Sequence, residues 1–198
     1  KAGRWERSKW NGVELADKTL GIVGLGRIGK LVAQRALAFG MQLVAYDPFV
    51  SPEAARRVSV ELVDLDELVA RADFVTLHLA KTPETIGLVG AELLAKAKPG
   101  IRIINVARGG IVDEQALRDA IVSGHVAGAA IDVFATEPCT DSVLFELDEV
   151  VVTPHLGAST VEAQDKAGDT IADMVLLALD GDFVPFAVNV SAGEVSET

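Results

Sequence analysis

The stretch Thr19 to Gly40 constrains the fold of this chain more than any other. The apolar run Thr19 to Val23 predicts a short buried strand, and the pattern Lys30 to Phe39 predicts a helix. Between them stands a glycine turn, Gly24-Leu25-Gly26-Arg27-Ile28-Gly29. A strand that enters a helix through a turn of this spacing is typical of a parallel α/β unit.

Glycine is expected at each of the three positions of the turn for a different physical reason. Gly24 permits a tight bend, Gly26 lets the backbone approach a ligand closely, and Gly29 lets the helix pack near the strand. The backbone amides near Arg27 and Ile28 then face the space before the helix, where the helix N-terminus attracts an anion. In this context the motif predicts a site for the pyrophosphate of a dinucleotide.

An acidic residue completes the pattern. A second strand is predicted over Met41 to Tyr46, and it ends in Asp47, 18 residues beyond Gly29. A carboxylate at this place accepts hydrogen bonds from a ribose 2′-hydroxyl and repels a 2′-phosphate. The sequence therefore predicts NAD, rather than NADP, as the cofactor.

Strand and helix patterns alternate along the rest of the chain. Further strands are predicted over Val58–Val63, Phe74–Leu79, Ile101–Val106, Val126–Val133 and Val150–Thr153. Helices are predicted over Asp64–Ala72, Ala91–Ala97, Asp113–Ser123 and Thr160–Leu179, with a loop at Pro48–Glu53. The strand Ile101 to Val106 is expected to be buried on both faces. The order predicts an α/β fold, a Rossmann-type doubly wound parallel sheet with helices on both faces, whose ligands lie at the carboxyl ends of the strands.

Composition narrows the class of partner. The chain is 49% hydrophobic over 198 residues, enough for a substantial core, and its net charge is −11. An acidic surface argues against nucleic acid and against an anionic membrane. Cys139 is the single cysteine, so a disulfide framework and a cysteine metal site are not expected, and no other residues show metal-ligand spacing. The chain contains no apolar run of membrane-spanning length, so a cytoplasmic location is expected.

Polar residues that could do chemistry follow the predicted strands. Arg108 follows Ile101 to Val106, Glu137 comes shortly after Val126 to Val133, and His155 follows the last strand. Each has an ordinary explanation when taken alone, as a turn, surface or capping residue. Together beside a nicotinamide pocket they supply what reversible alcohol oxidation needs.

Each of these residues has an expected role. His155 takes the hydroxyl proton as hydride leaves the same carbon, and Glu137 fixes the tautomer of the imidazole and favours its protonated form. Arg108 binds a neighbouring carboxylate with two hydrogen bonds. Asp132, at the end of its strand, is a candidate acceptor for the nicotinamide carboxamide, with a loop cap as the alternative. His78, read as part of a strand, and His125, in a turn, are interpreted as structural.

Four stretches together give a resemblance that covers most of the chain: Gly21 to Gly29, Asn105 to Asp113, Asp132 to Pro138 and Thr153 to Thr160. In them the chain resembles the nucleotide-binding domain of the D-isomer-specific 2-hydroxyacid dehydrogenases. The resemblance implies that Arg108, Glu137 and His155 are catalytic. The cofactor contacts that it implies, beside the three glycines of the turn, are Arg27, Ile28, Asp47, Leu79, Val106, Ala107, Arg108, Asp132, His155, Gly157 and Ala158.

The resemblance also implies a larger protein. Family members carry a substrate domain from segments on both sides of this one. Residues 1–18 are then a lead from that domain, 19–183 the NAD-binding domain and 184–198 a linker onward. This chain alone is expected to turn over weakly or not at all. The family dimerises through this domain, so a homodimer is expected, with Trp5 and Trp10 of the lead packing across a twofold axis, and a tetramer for the full-length protein.

The substrate is less constrained than the cofactor. The run Leu156 to Gln164 favours the branch of the family that acts on a phosphorylated 2-hydroxy acid. A relative acting on glyoxylate, hydroxypyruvate or lactate remains an alternative, because the residues that select the substrate lie mostly outside this chain. A binding module that uses NAD as a structural or sensing ligand is the alternative from another class.

Overall fold

A computed structural model describes Gly3, Trp5, residues 11–185 and Ala187. The chain divides into two compact units, one from Lys1 to His155 and the other from Leu156 to Thr198. The division into lead, NAD-binding domain and linker stays a prediction. Of the two tryptophans of the lead, Trp5 is described and 93% exposed, whereas Trp10 lies outside the described residues, as does most of the tail after Val184.

The first unit is built on one parallel sheet. Its strands are β1 Thr19–Val23, β2 Gln42–Tyr46, β3 Glu61–Leu62, β4 Phe74–Leu77, β5 Ile101–Asn105, β6 Val126–Ile131 and β7 Val150–Val152. Its helices are α1 Arg27–Ala38, α2 Pro52–Arg56, α3 Leu65–Arg71, α4 Ala91–Lys96 and α5 Glu114–Val122. The strand order is β3-β2-β1-β4-β5-β6-β7, and every neighbouring pair is parallel. The predicted doubly wound fold is confirmed.

Side chains of β1 show how the two faces of the sheet are covered. Leu20 and Ile22 belong to one hydrophobic cluster, which contains residues of α1 and α2. Val23 belongs to a second cluster, formed with α3, α4 and α5. Gly21 lies against Leu68 of α3 so closely that an added Cβ would be 2.5 Å from it. Successive residues of a strand point to opposite faces, so the two clusters are the two layers of core.

The prediction that Ile101 to Val106 is buried on both faces was wrong for one face. Ile101 and Ile103 are buried, but Arg102 and Ile104 between them are half-buried. The helix α1 packs on β1 and β2, and beside it Ile104 lines an apolar groove of about 270 Å³. The strand is therefore more open on the α1 side than its apolar character predicted.

Several boundaries differ from the sequence patterns. The first helix begins at Arg27 rather than Lys30, directly after Gly26 as its N-cap, so Gly29 lies within it. The predicted loop Pro48 to Glu53 was wrong at its end, because the short helix α2 begins at Pro52. Its N-cap is Ser51, whose Oγ accepts a hydrogen bond from the Ala54 amide, a start signal that the sequence carried.

Two strands are shorter than predicted. The segment Val58 to Val63 pairs only at β3, and β4 ends at Leu77, so His78 and Leu79 lie beyond the strand. His78 instead packs its carbonyl against the glycine turn.

In its described residues the second unit has the helix α6, Val161–Asp180, close to the predicted range. Thr160 caps its start, since its Oγ1 accepts from the Ala163 amide, and Gly181 at φ +79° ends it. Among the described residues, no helix combines the length and apolar character needed to cross a bilayer.

Candidate cofactor and catalytic site

The three glycines of the turn meet different surroundings. Gly24 has φ +96°, and a Cβ there would lie 2.5 Å from the His78 carbonyl oxygen. A Cβ on Gly29 would overlap the carbonyl oxygen of Gly24. A Cβ on Gly26 would meet nothing within 4 Å. Two glycines are thus required by the protein's own packing, whereas the third faces open space before α1, which fits the pyrophosphate of a dinucleotide.

Asp47 holds the turn from the end of β2. Its Oδ2 accepts a hydrogen bond from the Leu25 amide at 2.8 Å, and its Oδ1 accepts from the Phe49 amide at 2.9 Å. An ionised carboxylate offers about four acceptor positions, so a ribose hydroxyl can still be bound. Sequence reasoning gave Asp47 a role toward the cofactor but missed this role in shaping the turn.

Replacing Asp47 separates the two roles. In Asp47→Asn the side chain keeps one acceptor oxygen for the backbone but loses its charge, so the preference for NAD over NADP is expected to fall about tenfold. In Asp47→Ala the anchoring bonds to Leu25 and Phe49 are also lost, so NAD itself binds more weakly and the melting temperature drops. Calorimetric titration with both dinucleotides measures this. If the ratio of NAD affinity to NADP affinity were the same in Asp47→Asn as in the wild type, the role of Asp47 in selecting NAD would be contradicted.

Arg108 stands on a loop that a buried asparagine fixes at the end of β5. The Asn105 side chain is 1% exposed; its Oδ1 accepts from the Ala107 amide and its Nδ2 donates to the Arg108 carbonyl, both at 3.1 Å. The exposed Arg108 guanidinium donates to the Ala107 carbonyl at 2.6 Å. Asn105 was missed as a functional residue, although an asparagine in a buried strand is a signal, since a buried amide requires partners.

The Arg108 loop lies against the loop that carries Glu137. Gly109 lies so close to Phe134 that an added Cβ would overlap the Phe134 carbonyl oxygen. Glu137 Oε1 in turn accepts from the Phe134 amide at 2.9 Å. The two loops after β5 and β6 therefore form one packed edge, with Phe134 joining them.

Glu137 and His155 form a hydrogen-bonded pair. Glu137 Oε2 lies 2.7 Å from His155 Nδ1. The hydrogen bond with His155, together with the amide of Phe134, lowers the pKa of the Glu137 carboxyl below its ordinary value. An ionised Glu137 accepts a hydrogen bond from the Nδ1–H of His155 and so directs Nε2 to the proton exchange with a substrate.

Asp132 connects the loops through its backbone. Its amide donates to the Asn105 carbonyl at 3.0 Å, and its carbonyl accepts from the His155 amide at 2.8 Å. The Asp132 carboxylate is 4% exposed and accepts from the Thr153 hydroxyl. Asp132 thus helps to hold the histidine in place, and its role toward a carboxamide stays a prediction. Thr153 was not singled out from the sequence, where nothing distinguishes it from an ordinary strand end.

His155 adopts an uncommon backbone conformation, with φ +58°. Residues other than glycine rarely adopt this left-handed region, and such strain of roughly 1–3 kcal/mol is often found at functional sites. The hydrogen bond from the His155 amide to the Asp132 carbonyl and the side-chain hydrogen bond with Glu137 hold it there.

The other predicted cofactor contacts are placed individually. Leu79 packs against Gly24, and Val106 and Ala107 begin the Arg108 loop, Val106 being 45% exposed. Arg27 and Ile28 open α1 and are exposed. Gly157 and Ala158 form an exposed turn at the start of the second unit. For all of them contact with a cofactor stays a prediction.

The two remaining histidines differ from His155. Burial lowers the pKa of the His78 imidazole, whose Nε2 lies 3.1 Å from the Thr76 hydroxyl. His125 follows the turn after α5, and its Nε2 is buried without a hydrogen-bond partner among the described residues. Neither side chain is hydrogen-bonded to the three catalytic candidates.

A cleft of about 880 Å³ lies beside this edge, bordered by Gly110 and Ala135. Its lining includes four acidic residues, Asp113, Glu114, Asp141 and Glu146, against one basic residue, Arg118, so the lining is acidic on balance. Such a lining repels the phosphates of a dinucleotide, so the glycine turn is the better cofactor site.

Comparison with known proteins agrees with this geometry. Residues 1–157 match the model of the D-isomer specific 2-hydroxyacid dehydrogenase, NAD binding domain. The chain is 64% identical over 193 residues to D-3-phosphoglycerate dehydrogenase of Mycobacterium tuberculosis, covering 98% of this chain and 37% of that protein. The rat enzyme of the same name is 48% identical over 192 residues, covering 97% of this chain and 36% of the relative.

A solved structure of the same family has the same fold. The holo form of Rhodotorula graminis D-mandelate dehydrogenase superposes with a TM-score of 0.86 at 31% identity, covering 94% of this chain and 55% of that one. The chain spans little more than a third of the length of the curated relatives. The prediction of NAD as the cofactor is confirmed by the family match. This chain belongs to the D-isomer-specific 2-hydroxyacid dehydrogenases, as their NAD-binding domain.

Proposed function

We propose that this chain is the NAD-binding, catalytic domain of a D-3-phosphoglycerate dehydrogenase, which converts 3-phosphoglycerate to 3-phosphohydroxypyruvate in the first step of serine biosynthesis. The main support for the proposal is that Arg108 and the Glu137–His155 pair lie on loops that contact one another at the carboxyl ends of β5 and β6. The identity of 64% to a relative of that name supports the choice of substrate. A cytoplasmic location is part of the proposal, because the reaction draws on NAD and a phosphorylated metabolite.

His155, Glu137 and Arg108 have different roles in the reaction. His155 takes the hydroxyl proton through Nε2 during oxidation and returns it during reduction. Glu137 stabilises the imidazolium that forms, since its lowered pKa keeps it ionised. Arg108 binds the substrate carboxylate next to the reacting carbon and orients it. NAD, when bound, supplies the hydride acceptor.

The alternatives have less support. A relative acting on glyoxylate, hydroxypyruvate or lactate would share the same edge, but a solved glyoxylate reductase is 36% identical, against 64% for the relative named D-3-phosphoglycerate dehydrogenase. An NAD-sensing module needs the glycine turn but has no use for a glutamate held 2.7 Å from a histidine. The pair therefore favours an enzyme.

The test uses the full-length protein that carries this domain. NADH formation is followed at alkaline pH with NAD and 3-phosphoglycerate, D-lactate, D-glycerate or glycolate. The proposal expects 3-phosphoglycerate to give the highest kcat/KM by at least about 100-fold. A higher kcat/KM with another acid would identify that acid as the substrate instead. No turnover with any of the four acids, despite NAD binding, would favour the NAD-sensing module.

The proposal includes a homodimer through this domain and a tetramer for the full-length protein. Helix α1 carries Leu31, which is 50% exposed, and is followed by its C-cap Phe39, which is 61% exposed and lines the apolar groove at Ile104. Exposed apolar surface of this kind favours a partner that covers it. We assign the surface of Leu31, Phe39 and the groove to the twofold contact.

Introducing a charge at the C-cap of α1 tests the contact. Phe39→Asp is expected to raise the dimer dissociation constant by at least about 100-fold, because a carboxylate cannot be buried there without a partner. Sedimentation measures the mass across a dilution series. Phe49→Asp is the matched control, since Phe49 is 95% exposed and lies three residues after β2. Equal masses for Phe39→Asp, Phe49→Asp and the wild type at every dilution would remove the assignment.

A further inference from the structure

Glu114 is an acidic residue beside the catalytic loops that has no direct part in the proposed reaction. It is half-buried and is the first residue of α5, whose N-cap is Asp113. The Asp113 side chain accepts from the Ala116 amide, and Leu117 of the same helix is buried in the core. Glu114 therefore stands at the start of a helix that its cap and the core hold in place.

The loop that carries Glu137 has few hydrogen bonds of its own. Among the residues that the structure describes, no backbone amide from Phe134 to Leu144 donates to a backbone carbonyl. Ala135, Thr136 and Glu137 are exposed, so the core does not fix this part of the loop either. The shape of the loop therefore depends on the side chains that bind its polar groups.

Glu114 binds this loop at two points. Its Oε1 accepts from the Ala135 amide at 2.9 Å, and its Oε2 accepts from the Ser142 hydroxyl at 3.0 Å. Ser142 Oγ in turn accepts from the Leu144 amide at 3.3 Å. One carboxylate thus joins the beginning and the end of the loop to α5, and Glu137 lies between the two points.

The path from Glu114 to the catalytic pair is short. The Phe134 amide donates to Glu137 Oε1, and the next amide along the chain, that of Ala135, donates to Glu114. The two glutamates therefore bind consecutive amides of one loop. Because the other oxygen of Glu137 lies 2.7 Å from His155 Nδ1, a small shift of this loop changes the distance between Glu137 and the imidazole.

We propose that Glu114 is a positioning residue of the reaction, which holds the loop after β6 so that Glu137 stays in hydrogen-bond distance of His155. The inference rests on the proposed function, in which His155 and Glu137 carry out the proton transfer, but it does not depend on which 2-hydroxy acid is the substrate. In this role Glu114 touches neither substrate nor cofactor and transfers no proton. Its loss weakens the Glu137–His155 pair without removing a reacting group.

The test measures kcat/KM for oxidation against pH in the full-length enzyme, with the acid that it oxidises best. In Glu114→Ala the plateau of the profile is expected to fall about tenfold, because the pair is no longer held in its productive geometry. The acid limb is expected to move to lower pH, since a carboxylate that pairs less well favours the imidazolium less. The KM for NAD is expected to stay within about twofold of the wild type.

Glu114→Gln tests rescue by a conservative replacement. Its amide oxygen can still accept from the Ala135 amide, and its amide nitrogen can donate to Ser142 Oγ. Its kcat/KM is therefore expected to stay within about threefold of the wild type. Gln115→Ala is the matched control, with a change below about twofold, because the Gln115 side chain is exposed and hydrogen-bonded to Asp119 within α5.

A double-mutant cycle shows whether Glu114 acts through Glu137. In the Glu137→Gln background, Glu114→Ala is expected to change the plateau less than about twofold and to leave the acid limb in place, because the charged pair is already lost. Ser142→Ala removes one of the two bonds to the loop and keeps Glu114. It is expected to give a smaller change in the same direction, and it takes the place of Glu114→Ala if that variant does not fold.

The outcomes separate this inference from the function on which it rests. An equal fall of kcat/KM for Glu114→Ala in the wild-type and Glu137→Gln backgrounds, or an acid limb that does not move, would show a general loss of structure and overturn the positioning role. Unchanged kcat/KM in Glu114→Ala would overturn it as well. A wild-type enzyme that oxidises no 2-hydroxy acid would instead overturn the proposed function, and the role of Glu114 with it.

Discussion

Replacing His155 by asparagine is expected to lower kcat of the full-length enzyme about 10³-fold while NAD affinity stays within about twofold. The imidazole is the group that exchanges the substrate proton, and general acid–base catalysis contributes about 10²- to 10⁴-fold. Asparagine is the suitable replacement, because it tolerates the backbone φ of +58° better than most residues. Steady-state kinetics and calorimetric titration with NAD measure the two quantities.

His125→Asn is the control for this experiment, since His125 lies in a turn away from the catalytic candidates. Its kcat is expected to stay within about threefold of the wild type. Normal turnover of the His155→Asn enzyme would show that His155 does not exchange the substrate proton. Loss of NAD affinity equal to the loss of kcat would show that the substitution damaged the site as a whole.

Glu137→Gln is the companion variant. The hydrogen bond with His155 lowers the pKa of the Glu137 carboxyl below its ordinary 4.5, so at neutral pH the wild type carries an ionised carboxylate there. The pair is therefore intact above that ordinary pKa and is lost only as the pH falls through the lowered one. Removing the charge is expected to cost about 100-fold in kcat near neutral pH, and a pH–rate profile together with kcat measures it.

Substituting two neighbouring glycines by alanine is expected to give opposite results. Gly29→Ala places a Cβ on the Gly24 carbonyl oxygen, so it is expected to lower the free energy of unfolding by about 1–3 kcal/mol. Gly26→Ala places its Cβ in open space at φ −74°, so the stability is expected to change by less than about 1 kcal/mol. NAD affinity in Gly26→Ala is expected to fall about 10- to 100-fold, because the methyl group enters the space of the pyrophosphate.

Chemical denaturation without cofactor and calorimetric titration with NAD measure the two effects separately. Gly168→Ala, on α6, serves as a control, since a Cβ there meets nothing within 4 Å. Unchanged NAD affinity in Gly26→Ala would show that the pyrophosphate does not bind at the glycine turn. A stable Gly29→Ala protein would show that α1 can shift to make room.

The fold was predictable because several local signals agree. The glycine turn, the acid at position 47 and the alternation of strand and helix each specify a parallel α/β unit. The edge that gathers Arg108, Glu137 and His155 follows from topology, because parallel strands end together. The helix starts at Asp113 and Thr160 were also predicted closely, and in the structure both residues are the N-caps of their helices.

The missed features depend on contacts between distant parts of the chain. Asn105 fixes the Arg108 loop through bonds to two backbone groups, and Asp132 joins it to His155 through backbone groups that every residue possesses. The half-open face of β5 was missed because the pattern of one strand does not show which helix covers it.

A crystal structure of the full-length protein with NAD and a substrate analogue tests the central claim most directly. The account predicts the pyrophosphate at the amides of Gly26 to Ile28, and the nicotinamide beside the loops of Arg108 and Asp132. The reacting carbon of the analogue should lie about 3–3.5 Å from the nicotinamide ring, with its oxygen in hydrogen-bond reach of His155 Nε2. A nicotinamide ring placed away from His155 and Arg108 would contradict the account.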